Sequence, residues 1–259
     1  MNRTDETCRN AGLRRFVAVA TGALLVVVCH GASAAGGDFS LDFTAAAPLT
    51  YDHATGGGAY NDRTVGRDQD IVESLEGGDF ACGDTVTFLT QVSVGAAAPG
   101  AQTIRLRLTF TASSTGQQGV ALVDNVNGVS AAINPGGIDS GTVDDGGSTA
   151  TVVDESYDGL IFGKPTLFHR TIDVSDLEAS EKVVVRSDVA IACDGRAPTG
   201  NMQARLASAS VVAPPSEVST ISSGDQTVPF KHVGDIKQPC DPKTQTCPPS
   251  CDPKTQTCK

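Results

Sequence analysis

Tryptophan is absent from this chain of 259 residues, and aromatic residues of all kinds make up only 5% of it. Its three tyrosines are Tyr51, Tyr60 and Tyr157. Sugar-stacking surfaces draw on exposed Trp and Tyr rings, so this supply argues against a carbohydrate-binding face. Basic residues are also scarce. The 19 Lys and Arg stand against 30 Asp and Glu, a formal net charge of −11. Nucleic acids and anionic membranes are bound through basic patches, and this balance argues against both. No apolar run reaches the roughly 18 residues that a membrane span needs. Helix signals are nearly missing, and no G-x-S-x-G or H-E-x-x-H pattern occurs.

The N-terminus carries the three parts of a signal peptide. Arg3, Arg9, Arg14 and Arg15 form the positive region, and Phe16 to Cys29 is apolar. Ala32-Ser33-Ala34 fits the small-residue cleavage pattern, so residues 1–34 are expected to be removed and the mature chain to start at Ala35. Two alternatives are weighed: lipidation at Cys29, after a lipobox-like Val26-Val27-Val28, and twin-arginine export through Arg14-Arg15. Val28 is bulky where a lipobox has a small residue, and Phe16 directly after the arginine pair fits poorly. Removing the signal takes away four basic and two acidic residues, which leaves the mature chain near −13. Secretion to the cell exterior or the cell surface is the expected destination.

Residues 35–212 have the composition of one all-β domain, long enough for a substantial core. Thr103 to Thr111 alternates cleanly, with Ile104, Leu106, Leu108 and Phe110 on one face and Arg105, Arg107 and Thr109 on the other. That is the pattern of a half-buried antiparallel strand. Thr85 to Val94, Gly119 to Val123, Leu167 to Val174, Glu181 to Ala192 and Asn201 to Val212 read as further strands, with Met202, Ala204 and Leu206 sharing a face. Gly- and Asp-rich turns separate them. Asp176 to Ser180 is expected to form one short helical turn. The fold class this implies is an antiparallel β-sandwich with Greek-key links. Residues 213–239 open on Ala213-Pro214-Pro215 and read as a polar flexible linker. Residues 240–259 form a separate tail.

That tail holds an identical repeat: CDPKTQTC from Cys240 to Cys247, then again from Cys251 to Cys258. Six cysteines remain after signal removal: Cys82, Cys193, Cys240, Cys247, Cys251 and Cys258. An even count in an exported chain suits full pairing. Cys82 precedes a strand and Cys193 follows one, so antiparallel neighbours would bring them together. In the tail the natural pairs are Cys240–Cys247 and Cys251–Cys258, with crossed pairs as the competitor. Zinc binding and redox catalysis fit this spacing and compartment poorly.

Gly83-Asp84-Thr85-Val86-Thr87-Phe88 resembles the strand that opens bacterial immunoglobulin-like surface repeat domains. Asp176-Leu177 followed by Ser180 to Val185 is similar to their leucine, turn, glutamate and β-branched strand. The resemblance implies an immunoglobulin-like sandwich at a cell surface, used as a stalk or adhesive module, and brings no catalytic residues.

Calcium is the ligand to consider, because it takes oxygen donors from loops. Asp68, Asp70 and Glu73 cluster in one loop, Asp124, Asn125 and Asn127 in another, and Asp144 and Asp145 in a third. No EF-hand spacing is present, and Asp and Asn are ordinary turn formers. Of the histidines that survive processing, His232 falls in the linker and His169 in a strand. His53 precedes a Gly-rich loop and is the most site-like. Arg105 and Arg107 mark a solvated sheet face or a partner site. The expectation is therefore a non-enzymatic secreted or surface protein, structural or adhesive, binding an extracellular or surface protein. Its tail would be displayed or would cross-link copies of the chain. A hydrolase with a site near His53 is one alternative. A calcium-stabilised subunit of a fibre or coat is the other.

Overall fold

The computed structural model describes residues 38–48, 51, 71–112, 121–123, 131–134, 147–161, 164–192, 202–213, 216–237, 251–252 and 257–258. These form an all-β sandwich. In chain order the strands are β1 (Phe39–Ala46), β2 (Ile71–Val72), β3 (Leu75–Glu76), β4 (Thr85–Val94), β5 (Gln102–Thr111), β6 (Ala121–Val123) and β7 (Ala131–Ile133). They continue as β8 (Thr149–Ile161), β9 (Lys164–Leu177), β10 (Lys182–Ala192), β11 (Met202–Ala213), β12 (Ser216–Ile221) and β13 (Gln226–Lys231). In the tail follow β14 (Cys251–Asp252) and β15 (Thr257–Cys258). The first sheet runs β2-β1-β4-β10-β6, with β7 also on β10, and the second runs β3-β13-β11-β5-β9-β8, with β12 also on β11.

The order β1-β4-β10 facing β13-β11-β5-β9 is the A-B-E and G-F-C-C′ arrangement of an immunoglobulin-like Greek-key sandwich. Its logic lies in the period-2 pattern. Ile104, Leu106, Leu108 and Phe110 of β5 are buried, as the alternation predicts, while the residues between them are half-buried. Val183, Val185, Val189 and Ile191 of β10 face them from the other sheet within one continuous core. A file of rings crosses that core. Phe43 stacks on Phe88 at 5.8 Å between centroids, Phe88 meets Phe110 at 5.3 Å, Phe110 meets Phe168 at 5.8 Å, and Phe168 meets Tyr157 at 5.0 Å. The few aromatics of the chain are thus spent largely inside.

The structure corrects the expectation of a flexible linker at 213–239. Residues 216–237 carry β12, β13 and a 3-10 turn at Val233–Asp235. Val228, Phe230, Val233 and Ile236 belong to the main core. The reason is period-2 burial in a segment whose polar content masks it: Val228 and Phe230 alternate with Thr227 and Pro229. Pro229 sits opposite Gln203 on a strand whose other neighbour is only the short parallel β3, the near-edge setting that a proline tolerates. The expected helical turn at Asp176–Ser180 is also absent. Asp176 and Ser180 adopt left-handed φ of 61° and 70°, and Glu178 to Glu181 closes as a tight turn between β9 and β10.

Candidate functional site

Several expected site residues, His53, Asp68, Asp70, Asp124, Asn127, Cys193, Cys240 and Cys247, lie outside the described residues. Glu73 is exposed between β2 and β3. Among the described residues no three or more His, Cys, Asp or Glu side chains are gathered to hold a metal ion. Cys82 is disulfide-bonded and packs against the core. In the tail, β14 and β15 pair antiparallel with Cys251 opposite Cys258.

Three polar constellations emerge, and the first lies between the sheets. Phe168, Arg170, Ile172 and Val174 of β9 all face the core, so the alternation carries an arginine inside, where it is 0% exposed. Arg170 donates through Nε to Glu155 Oε1 at 2.7 Å on β8. Its NH1 reaches across to β10, donating to Ser187 Oγ at 2.8 Å and to the Asp188 carbonyl at 2.6 Å. The guanidinium also lies 5.3 Å from the Phe168 ring centre and 6.0 Å from that of Phe110, a cation–π setting. A buried charge survives only when paired and hydrogen-bonded, and this one ties the two sheets together.

The second constellation covers the outer face of the first sheet. Arg186 and Asp188, two residues apart on β10, share that face. Arg186 Nε donates to both Asp188 oxygens, at 2.9 and 2.7 Å. Thr87, directly opposite on β4, donates to Asp188 Oδ1 at 2.6 Å. Tyr51 packs over Arg186, 5.8 Å from ring centre to guanidinium carbon, and its hydroxyl donates to Asn134 Oδ1 at 2.9 Å. Burial is the largest influence on Arg186 and opposes its charge. The hydrogen bonds and charge interactions with Asp188 and Tyr51 outweigh it and hold the guanidinium pKa above its ordinary value. Ala46, Tyr51, Ile71, Leu89 and Val184 form a small second core beside this pair.

The third constellation is the outer face of the second sheet. Arg105 holds Asp173 with two hydrogen bonds of 2.7 Å, and Arg107 pairs with Glu217 of β12. The bond to Asp173 first, and then the attraction of Asp173 and Glu217, raise the Arg105 pKa against a lesser loss of hydration. The Arg107 bond holds the Glu217 carboxyl below its ordinary pKa. Beside them Thr109 Oγ1 lies 3.2 Å from His169 Nδ1, and His169 Nε2 lies 2.9 Å from Asp158 Oδ2. Hydroxyl, imidazole and carboxylate stand in line, in the order of a hydrolase triad. Acyl transfer, however, also needs backbone N–H donors aimed at an oxyanion. Thr109 sits mid-strand, with β11 on one side of β5 and β9 on the other, so the neighbouring amides are consumed by the ladders. The row is a cross-strand prop on a polar face.

No family model matches the chain. No curated protein matches it either. A solved structure described as "AvmM Catalyzes Macrocyclization in Alchivemycin A Biosynthesis" is similar at 10% identity over 75% of this chain and 84% of that one, with a TM-score of 0.27. A likeness that low carries no argument about fold or activity. The reading therefore rests on the residues themselves. Sequence reasoning missed Arg170 and Asp188. Arg170 did leave a signal, since an arginine stands in phase with Phe168, Ile172 and Val174. Asp188 gave none, because a carboxylate on an alternating strand normally faces water. His169 stands on the strand expected of it.

Proposed function

We propose that this chain is an exported, non-enzymatic module, structural or adhesive in role, in which a rigid β-sandwich carries two small disulfide-closed rings at its C-terminal end. The observation that carries the reading is the β14–β15 register, which sets Cys251 opposite Cys258. Directly opposed residues of an antiparallel pair lie about 4.5–5.5 Å apart at Cα, within the range a disulfide spans. The identical copy from Cys240 to Cys247 is read the same way. Cys82 is itself in a disulfide. Gly83 N donates to the Ile191 carbonyl at 2.7 Å, and Ile191 N to the Asp84 carbonyl at 2.9 Å. The chain at Cys82 thus runs beside the end of β10, two residues short of Cys193, which supports Cys82–Cys193 as the bridge of the sandwich.

Disulfides persist in oxidising compartments, in keeping with the signal-like N-terminus. The polar clusters of the described residues serve the sandwich: Arg170 joins its sheets, and Arg186 with Asp188 anchors Tyr51. The intact mass of the secreted protein, with and without reduction and alkylation, tests the reading. The expected species starts at Ala35 and takes up no alkylating agent until reduced. Free thiols in the tail, a lipid adduct at Cys29 or retention in the cytosol would overturn it. Deleting residues 240–259 should leave the melting transition unchanged while abolishing attachment to the cell surface or matrix. Attachment by the deleted form would remove the tail from the function.

A further inference from the structure

An arm made of β12, β13 and the 3-10 turn after them joins the rest of the sandwich through two residues. Ala213, at the end of β11, is paired with Ser216, at the start of β12. Only Pro214 and Pro215 lie between these antiparallel neighbours. Two-residue reversals between strands favour the I′ and II′ turns, which need a positive φ at the first central residue, whereas a proline ring holds φ at about −65°. Type II needs a positive φ at the second central residue, which Pro215 denies. In type I a proline there forces the residue before it out of the helical region. What remains is the minor turn class built on a cis proline. A proline pair suits an extended run better, because each ring presses its predecessor toward extended backbone. Sequence and register thus pull against each other at this one connection. The ladder also slips beside it: Val212 is paired with Glu217 and Val211 with Ser219, so Val218 has no opposite residue.

Beyond the hinge, the arm is held by contacts that any copy of the chain supplies. Ile221, Val228, Phe230, Val233 and Ile236 lie in the main core. The Phe230 ring packs 5.2 Å from that of Phe80. Gln226 Nε2 donates to the Leu41 carbonyl at 2.8 Å. Lys237 N donates to the Phe80 carbonyl and Cys82 N to the Lys237 carbonyl, each at 3.0 Å. Phe80, Leu41 and Cys82 all stand on the other side of the hinge. An arm on a straightened hinge carries these contacts to the same places on a second copy, whose own arm returns the exchange. The exchange gives up only the reversal at the hinge, and it needs no vacant surface on the closed chain. Where the two hinges meet, Val211 to Ser216 contains no charged residue, so no like charges are opposed there. The formal charge of −11 opposes association at longer range, and salt screens that repulsion.

From this we infer that residues 216–237 are an exchangeable arm whose partner is a second copy of this chain. In the reciprocal dimer β11 and β12 run on as one strand across both molecules. The closed form competes through the effective concentration of the tethered arm, which falls when a connection spans its sites poorly. Short strained hinges invite this exchange, and the two prolines set its balance. The inference is independent of the tail and of export, because the purified chain suffices to examine it.

The test refolds the mature chain, disulfides closed, from denaturant at rising protein concentration in moderate salt, and reads its mass by size exclusion with light scattering. A dimer should appear whose share grows with the refolding concentration. Once formed it should persist on dilution, because separating it requires the arm to undock. It should fall to monomer in denaturant without reductant, which sets it apart from copies cross-linked through the tail. Pro214→Asn with Pro215→Gly gives the hinge a pair suited to the I′ turn. That variant should dimerise about tenfold less and keep its melting transition. Deleting both prolines should have the opposite effect, since the strands then have no room to reverse. Three results would overturn the inference: a native chain that refolds as monomer at every concentration, a dimer that forms equally well with Asn-Gly in the hinge, or a dimer that separates at once on dilution. The second and third would mark a contact between faces of two closed chains.

Discussion

Arg170 shows how one side chain can set the terms for a core. Its guanidinium is surrounded by Phe110, Phe168, Glu155, Ser187 and the Asp188 carbonyl. Truncation leaves a cavity and strands Ser187 Oγ and the Asp188 carbonyl away from water. Arg170→Ala should therefore cost about 3–5 kcal/mol in chemical denaturation. Glu155→Gln should cost less, about 1.5–3 kcal/mol, because the glutamine amide oxygen can still accept the bond and the site is partly solvated, while the counter-charge is lost. A loss for Arg170→Ala within the noise of a surface substitution would refute the link between the sheets. At the opposite extreme, His232 is exposed and donates toward Glu76 Oε2 at 2.7 Å. That bond, then the charge of Glu76, raises its pKa above the ordinary 6.5, with a smaller gain from Asp235 set against Lys231. A raised folded pKa means the contribution is complete below about pH 6.5. It is lost as pH climbs through the raised value. NMR titration should find His232 titrating above 6.5, and Glu76→Gln should return it to the ordinary value. Glu217 behaves inversely: with its pKa lowered by Arg107, its contribution is present above its unfolded pKa and fades as pH falls through the folded one.

Among the elements, those with clean alternation were legible and those without it were not. The β5 strand was readable from Ile104, Leu106, Leu108 and Phe110 alone, and β11 from Met202, Ala204 and Leu206, all of them buried. Of the two segments that carry the surface-repeat resemblance, Thr85 to Phe88 lies on β4 and Lys182 to Val185 on β10, which pair with each other, while Asp176-Leu177 ends β9. By contrast β8 hides among Asp, Glu, Ser and Gly, because an edge strand with exposed side chains has no apolar face to announce it. The β13 strand hides for another reason. Its two core residues, Val228 and Phe230, sit within a run of Ser, Thr, Gln and Pro that reads as a tether. A chain ended after residue 212 should consequently fail to fold, whereas one ended after 239 should melt as the full chain does. Phe230→Ala should cost about 3–5 kcal/mol, since its ring packs 5.2 Å from that of Phe80. Gly77 belongs to the same junction. A Cβ there would collide with the His232 carbonyl, so the Gly77-Gly78 pair, legible only as a turn, also permits the close approach of the 3-10 turn at Gly77–Asp79 to the one at Val233–Asp235. Gly77→Ala should destabilise the fold, and Gly78→Ala, with its nearest neighbour at 4.0 Å, should not.

For the molecule as a whole, the candidate site was less legible than the fold. Most residues that looked chemically interesting lie outside the described residues, while the charged groups that matter to the architecture lie inside strands. The cysteines bridge the two scales. A Cys82–Cys193 bridge would close a loop of roughly 110 residues, which by chain entropy is worth about 4–5 kcal/mol. Reduction should lower the melting temperature by several degrees, and Cys82→Ser should reproduce the shift. Serine at all four tail positions should leave it untouched, which separates the bridge of the sandwich from the rings of the tail.

One pairing sets the order of events as the chain is made. β13 lies parallel to β3, joining Phe230 to Leu75 and Lys231 to Glu76, and Ala81 bridges to Lys237 just beyond. The last strand of the sandwich thus closes against a segment synthesised near its beginning. Of the strands between, β3 and β11 lack this neighbour until β13 is free. Contacts of such long sequence separation form slowly. That seam between β3, β13 and β11 would therefore be the part of the sandwich that sets last.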